Sequence, residues 1–414
     1  MKVCIVNEFF KPHVTGGVDI FLDELSKFLA DRGVHVKIVT SRMAAGKQYE
    51  KDGNIEIFRV RSSPLNIKNF QQIPGVTFPF NFFNYPLRAK LSEIFRDVDV
   101  VHINNPYHLS FAPLQVAAML AKPIVLDIHD YWPICFRKDL LHPTGSVCSQ
   151  NDPFSCYACL SLTQKQLEML AFPLTIFLEF YARKNILCRQ KNIVTVTHSR
   201  FVARKIKEYA GLGSMQIAYP FFGKLPTLRN KKIGDVVRLT FMGRLQTQKG
   251  AHMLTKIAER LHEKNIAYEM NVLGDGPLMS KMKSEASKKK LNVKLFGFVT
   301  DRRVRDATLA ATDILLAPSL WYEPFGIVVL EAMAFGVPVV GSSLGGIGDV
   351  ISENDVGIAV LPSVESVVAA IERLIADSRM YERFSEHGLR NIKKYDGEKI
   401  FTKYLRLFEQ TKVK

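Results

Sequence analysis

Glu323 and Glu331 are the two residues whose setting most strongly suggests chemistry. Pro324-Phe325-Gly326 follows the first directly, and the apolar run Ile327-Val328-Val329-Leu330 leads to the second. Proline and glycine place a turn before the run. A helix that starts there leaves its first backbone N–H groups unpaired and suited to an anion such as a diphosphate. At ~1.5 Å per residue, Glu331 lies about two turns further on and would meet a different part of an elongated ligand.

A second set lies upstream. Gly243 and Arg244 end the apolar run that begins at Val237, and Lys249-Gly250 follow within one loop. Arginine offers phosphate a planar fork and lysine a point charge, while Gly243 lets backbone come close. Gly274-Asp275-Gly276-Pro277 is a tight turn after another strand, a weaker signal by itself. Near the start, Gly16-Gly17 join the first strand to the first helix without a Cβ to hinder a ligand. His129-Asp130 follow the strand ending at Ile128.

Alternating apolar runs and helical stripes position these residues. Lys2–Val6, Val34–Thr40, Asp99–Ile103, Pro123–Ile128 and Ile193–Thr197 read as strands. Val18–Arg32, Pro113–Ala121 and Arg200–Tyr209, the last capped by Ser199, read as helices. The pattern breaks between Tyr219 and Asp235, then resumes with strands at Val237–Met242, Glu269–Leu273, Val293–Phe296 and Ile314–Ala317. Val337–Val340 is the next strand, with Gly345-Gly346-Ile347-Gly348-Asp349 expected as a glycine loop. This is βαβ logic, which gives parallel sheets whose ligands bind beyond the carboxyl ends of the strands.

As a set, these motifs resemble glycosyltransferase family 4, retaining enzymes of the group 1 type with the two-domain GT-B fold. The likeness rests on Gly16-Gly17, His129-Asp130, Gly243-Arg244 with Lys249-Gly250, and Glu323-Pro324-Phe325-Gly326 through Glu331. Tyr395-Asp396 with Ile400, Tyr404, Leu405 and Phe408 look like the family's closing helix, which crosses back onto the first domain. Two departures are Tyr219-Pro220-Phe221-Phe222, where many relatives carry Asn-Gly at the linker, and Asp349, where Glu is common.

The resemblance implies an α/β chain with two Rossmann-like domains, their parallel sheets facing each other across a cleft. The first, 1–221 with a helix at about 398–414 returning to it, would bind the acceptor; the second, 222–397, would bind the donor. It further implies a metal-independent hexosyltransferase moving sugar from a nucleoside-diphosphate sugar to a glycan or lipid-linked acceptor in surface polysaccharide or glycolipid synthesis. Arg244 and Lys249 would hold the diphosphate, beside Gly243 and the amides of Phe325, Gly326 and Ile327. Glu323 would contact donor-sugar hydroxyls and Glu331 the ribose. Gly16 and Gly17 would border the phosphate, and His129 would lie near the reacting carbon. Uracil, guanine and adenine all remain open as the base. Two alternatives use the same features: a GT-B-fold nucleotide-sugar epimerase, and a non-catalytic protein that binds anionic glycan or nucleic acid.

Four of the six cysteines, Cys135, Cys148, Cys156 and Cys159, fall in one stretch rich in Pro, Gly, Ser and Asp. That composition reads as a long loop, and four thiolates with one C-x-x-C pair are a candidate structural zinc site. Buried or free thiols are the alternative. No cofactor is expected for catalysis.

Two segments suit a greasy acceptor or an anionic membrane surface. One holds Phe70, Phe78, Phe80, Phe82, Phe83 and Tyr85. The other is Leu167–Tyr181, trailed by Arg183, Lys184, Arg189 and Lys191.

The chain has 414 residues and a net charge of +16. Residues 1–222 hold 26 Lys and Arg against 18 Asp and Glu, leaving 30 against 22 in the rest, so no basic tail carries the excess. An even field favours anionic partners, but no recognised nucleic-acid module is present and no nucleic-acid partner is expected. Met1-Lys2 lead straight into the first strand without a signal-peptide pattern, and the longest apolar run falls short of a membrane span. The expected location is cytoplasmic, peripheral to the inner membrane face at most.

Overall fold

The computed structural model describes residues 1–13, 17–42, 47–61, 84–106, 109, 111–149, 152–162, 172–189, 192–220 and 232–412. The chain divides into two compact units: Met1–Tyr219 with Glu398–Lys414, and Pro220–Gly397. Gly16, Phe70, Phe78, Phe80, Phe82, Phe83 and the linker residues Phe221-Phe222 lie outside the described residues.

In the first unit the elements run β1 (Lys2–Val6), α1 (Gly17–Asp31), β2 (His35–Ser41), β3 (Tyr49–Asp52), β4 (Ile55–Val60), α2 (Tyr85–Phe95), β5 (Val100–Ile103), α3 (Ala112–Met119) and β6 (Ile124–Ile128). Then come α4 (Pro153–Ser161), α5 (Phe172–Arg189), β7 (Ile193–Thr197), α6 (Arg200–Ala210) and β8 (Gln216–Ile217). The sheet order is β3-β4-β2-β1-β5-β6-β7-β8. Every pairing is parallel except β3 with β4, a hairpin turned through Gly53 at φ 54°. The central strands are near-continuous apolar runs because parallel strands are covered on both faces. β1, β5 and β6 are almost wholly buried. Ser199 caps α6 by accepting from Val202 N, and Gly211, left-handed at φ 67°, ends it.

The second unit runs β9 (Val237–Met242), α7 (Leu254–Glu263), β10 (Tyr268–Leu273), α8 (Met279–Lys288), β11 (Val293–Gly297), α9 (Arg302–Ala311) and β12 (Ile314–Ala317). It continues with α10 (Ile327–Ala334), β13 (Val339–Ser342), α11 (Gly345–Asn354), β14 (Gly357–Val360), α12 (Val364–Ala376) and α13 (Ser378–Asn391). Its sheet, ordered β11-β10-β9-β12-β13-β14, is parallel throughout. The chain closes with α14 (Gly397–Lys412), which packs Phe401, Tyr404 and Phe408 into the first unit. Strand order reverses at the β1/β5 pair in one sheet and at β9/β12 in the other. Ligands of such sheets collect beyond the carboxyl ends at these points.

Three local expectations change. Residues 345–349 are not a loop but the first turns of α11. Their glycines are there for close packing: a Cβ on Gly346 would sit 2.3 Å from the Pro324 carbonyl oxygen, and one on Gly345 2.6 Å from Glu323 N. The strand expected at Val337–Val340 begins at Val339, since Pro338 has no N–H to give a ladder. The cysteine-rich stretch is not all loop, because Cys156 and Cys159 stand on α4, with Asp152 as N-cap and Pro153 in the first turn.

Candidate functional site

In the second unit the carboxyl ends of β9 and β12 carry the charged residues. After β9, Gly243 has φ 156°, and its carbonyl oxygen would lie 1.8 Å from a Cβ on Gly274, so the two loops meet backbone to backbone. Arg244 projects from this turn with its side chain exposed. Lys249 follows, and then Gly250, left-handed at φ 74°, where a Cβ would lie 2.1 Å from the Pro318 carbonyl oxygen. That close approach, with Leu320 N donating to Gln248 O at 2.9 Å, brings the Lys249 loop onto the β12 loop.

The consequence is an ion pair between the Lys249 ammonium and Glu323 Oε1. Ser319 Oγ donates to the same carboxylate oxygen at 3.0 Å, and the Trp321 ring lies 5.5 Å from the ammonium. Gly346 N donates to the Glu323 carbonyl at 2.6 Å, tying α11 to this turn.

Next along the chain, α10 starts at Ile327 behind Gly326, left-handed at φ 93°, with no side chain capping it. Its first N–H groups are therefore not satisfied by a cap side chain. Ile327 is 43% exposed, whereas the Phe325 side chain is buried core against Tyr395, so only its backbone can face a ligand. Glu331 is ion-paired with Arg305 of α9. Burial pushes its carboxyl up, with Arg305 opposing.

In the first unit, β5, β6 and β7 bring a polar cluster together around Asp127, which is wholly buried. Its carboxylate oxygens lie 3.3 Å from His102 Nε2, 3.5 Å from His129 Nε2 and 2.9 Å from His198 Nε2. Tyr404 of α14 donates to Oδ2 at 2.5 Å. Burial alone would raise the carboxyl, but the facing imidazoles of His129 and His198, with the hydrogen bond to His102, hold it well below the usual range.

His129 stacks on His198 at 4.1 Å between ring centres, and Phe21 of α1 packs edge-on against both. Asn104 Oδ1 lies 3.0 Å from His129 Nε2. Two acceptor oxygens therefore face Nε2, which puts the ring proton there and leaves Nδ1 to accept. Burial pushes His129 down to about 3, so it is neutral at pH 7. Its neighbour Asp130 is pushed up to about 6, again by burial, with Lys138 opposing. Gly17 forms the exposed first residue of α1.

Residues 15–219 match the model of Glycosyltransferase Family 4, and residues 229–390 that of the glycosyl transferases group 1. The chain belongs to this glycosyltransferase family. An uncharacterized glycosyltransferase of Methanocaldococcus jannaschii is 25% identical over 409 residues, 96% of this chain and 94% of that one. Sucrose-phosphate synthase of Thermosynechococcus elongatus shares the fold with a TM-score of 0.68 at 17% identity, covering 99% of this chain and 98% of its own. Anabaena HepE, solved in complex with UDP, gives 0.66 at 17% identity over 99% and 100%. Both sheets of the transferase thus follow the GT-B plan.

Several residues of the two sites escape a reading of the transferase sequence. Asp127 and His102 are polar residues inside otherwise apolar strands, which is a usable signal. His198, Asn104, Ser319 and Arg305 carry no local mark, because their partners are remote in sequence.

One of the basic residues behind the apolar run of α5 differs from expectation. Arg183 is buried in an ion pair with Glu179 and lies 4.2 Å from the Phe136 ring centre, so it cannot serve a headgroup. Leu174, Leu178 and Tyr181 of α5 are all more than half exposed. Among the described residues no helix is long and apolar enough to cross a membrane.

Proposed function

We propose that the chain transfers a hexose, with retention, from a nucleoside-diphosphate sugar to a glycan or lipid-linked acceptor, without a catalytic metal. The observation that carries this reading is the Lys249–Glu323 ion pair at the β9/β12 switch point, beside Arg244 and the uncapped start of α10. Cleaving the sugar–phosphate bond builds negative charge on the departing diphosphate. A fixed ammonium, a guanidinium and oriented N–H groups stabilise that charge without reorganising. Glu323, already held against Lys249 and Ser319, offers an acceptor for sugar hydroxyls next to the phosphate cation. Glu331, paired with Arg305, is assigned to the ribose.

His129 supplies a neutral imidazole, oriented by Asn104 and Asp127, to the reacting sugar. UDP is the first candidate for the donor nucleotide, since HepE was solved with it. The exposed apolar stripe of α5 supports a lipid-linked acceptor approached at a membrane surface.

The test is to incubate the protein with UDP-, GDP- and ADP-sugars, with and without lipid-linked acceptor. Acceptor-dependent release of one nucleoside diphosphate is expected, with the donor's anomeric configuration kept in the product by NMR. Conversion of the nucleotide sugar without acceptor would point instead to an epimerase.

A further inference from the structure

The segment between β6 and α4 holds a second constellation that the transfer reaction does not use. After β6 the chain makes a tight turn, with Cys135 N donating to Tyr131 O at 2.8 Å and Lys138 N to Cys135 O at 3.2 Å. Lys138 and Leu140 are both left-handed, at φ 65° and 50°, so the chain curls around the Cys135 side chain.

A short antiparallel ribbon follows. Leu141 bridges Val147, His142 N donates to Ser146 O at 2.8 Å, and Cys148 N donates to Leu140 O at 2.7 Å. This returns Cys148 to the neighbourhood of Cys135. Asp152 then caps α4, accepting from Ser155 N at 2.9 Å. Cys156 and Cys159 fall three residues apart on that helix and so share a face. None of the four is joined in a disulfide, and Cys156 packs against the cluster that holds Phe136, the neighbour of Cys135. The apolar cluster beneath is small, with Phe136, Leu160 and Ile176 as its buried members. Small apolar clusters hold an excursion of this length poorly without a staple.

We propose that Cys135, Cys148, Cys156 and Cys159 form a structural zinc site that clips the turn, the ribbon and α4 together. No three of the sulfurs lie within 4.8 Å of one another, so ligation draws them inward by rotation of their side chains. Zinc suits the donor set, since four sulfurs complete a closed tetrahedral site and each thiol gives up its proton on binding. Such a site stabilises the fold and takes no part in the reaction. A second candidate for a metal exists: ligand atoms of Asp127, His129 and His198 do converge within 4.8 Å. Tyr404 and His102 already occupy that carboxylate, and the test separates the two places.

The full-length chain is purified without chelator from zinc-supplemented cells, and its metal content is measured alongside C156S and H198A variants. The proposal expects about one zinc per chain, retained in H198A and lost in C156S. Because C156S can misfold, wild-type protein is also stripped and reloaded with cobalt alone. Thiolate-to-cobalt charge-transfer absorption with tetrahedral d–d bands is then expected. Absence of zinc uptake and of these bands overturns the proposal. So does zinc that is lost in H198A and kept in C156S, or a thiol titration that finds the four cysteines paired as disulfides.

Discussion

The hydroxyl of Tyr404, on the closing helix, donates to Oδ2 of Asp127 at 2.5 Å, and that same oxygen lies 3.5 Å from His129 Nε2. The last helix of the chain is thereby joined through one buried carboxylate to the imidazole assigned to the reaction. A hydrogen bond to a charged group is worth about 1.5–3 kcal/mol. Tyr404→Phe keeps the ring packing against Phe21 and Phe408 and removes only the donor. It should destabilise the protein by that amount and lower kcat more than KM. Its kcat–pH profile should also move, which loss of packing alone would not cause. Unchanged urea melts together with an unchanged profile would sever the link.

The same cluster predicts a pH dependence of stability. His129 is held down to about 3 from an ordinary 6.5. In the unfolded chain it takes up a proton as the pH falls below about 6.5, whereas in the fold it stays neutral until about 3. The unfolded state therefore binds more protons across that window. This contribution to stability is complete above the unfolded value and is lost as the pH falls through the window. Asp127, also held low, adds loss in the same direction below its ordinary 3.8. Urea melts between pH 7 and 4 should show a falling unfolding free energy, and His129→Gln should flatten the slope. An equally steep variant would place the titration elsewhere.

Lys249→Ala and Arg244→Ala should each reduce turnover by ~10²–10³, the usual cost of one fixed donor to a developing anion. Lys249→Ala also leaves the Glu323 carboxylate held by Ser319 without its cation. Its KM for donor should rise more than that of Arg244→Ala, whose side chain makes no such pair among the described residues. Steady-state kinetics on both variants distinguish these effects.

Gly346→Ala would place a Cβ 2.3 Å from the Pro324 carbonyl oxygen, an overlap that backbone must move to relieve. Overpacking of this kind costs about 1–3 kcal/mol. The strain falls on the turn that carries Glu323, so donor affinity should drop along with stability. Wild-type nucleotide affinity in a destabilised variant would show that the turn does not position the donor.

Replacing Leu174, Leu178 and Tyr181 with serine removes the exposed apolar stripe of α5. Sedimentation with anionic vesicles should then fall several-fold, while transfer to a water-soluble acceptor holds. Equal sedimentation of variant and parent would dismiss this face as a membrane contact.

Much of this was legible in the chain, for a physical reason. The β12–turn–α10 element is contiguous, and its proline, glycine and apolar run act locally, so Glu323, Gly326 and Glu331 announced themselves. Two parallel α/β halves followed from apolar runs at βαβ spacing, and the GT-B plan from the family resemblance of the motifs. What stayed hidden depends on distant pairing. Nothing near Glu331 marks Arg305 as its partner, and nothing near Asp127 marks Tyr404. Arg183 reads in the sequence as a cation for an anionic membrane surface, yet the fold buries it on Glu179 and Phe136. The cysteine stretch was read as loop from its composition, although Asp152-Pro153 is a helix start. The glycines at 345–348 read as a glycine loop, whereas Gly345 and Gly346 give α11 clearance against the Glu323 turn.

The most direct test of the donor site is calorimetric titration of UDP, GDP and ADP into the full-length protein and into the Lys249→Ala variant. The account predicts saturable binding of one nucleoside diphosphate by the parent chain, weakened at least about tenfold by the variant, the effect of losing ~1.4 kcal/mol of contact. Binding of none of the three at millimolar concentration, or equal binding by parent and variant, would contradict it.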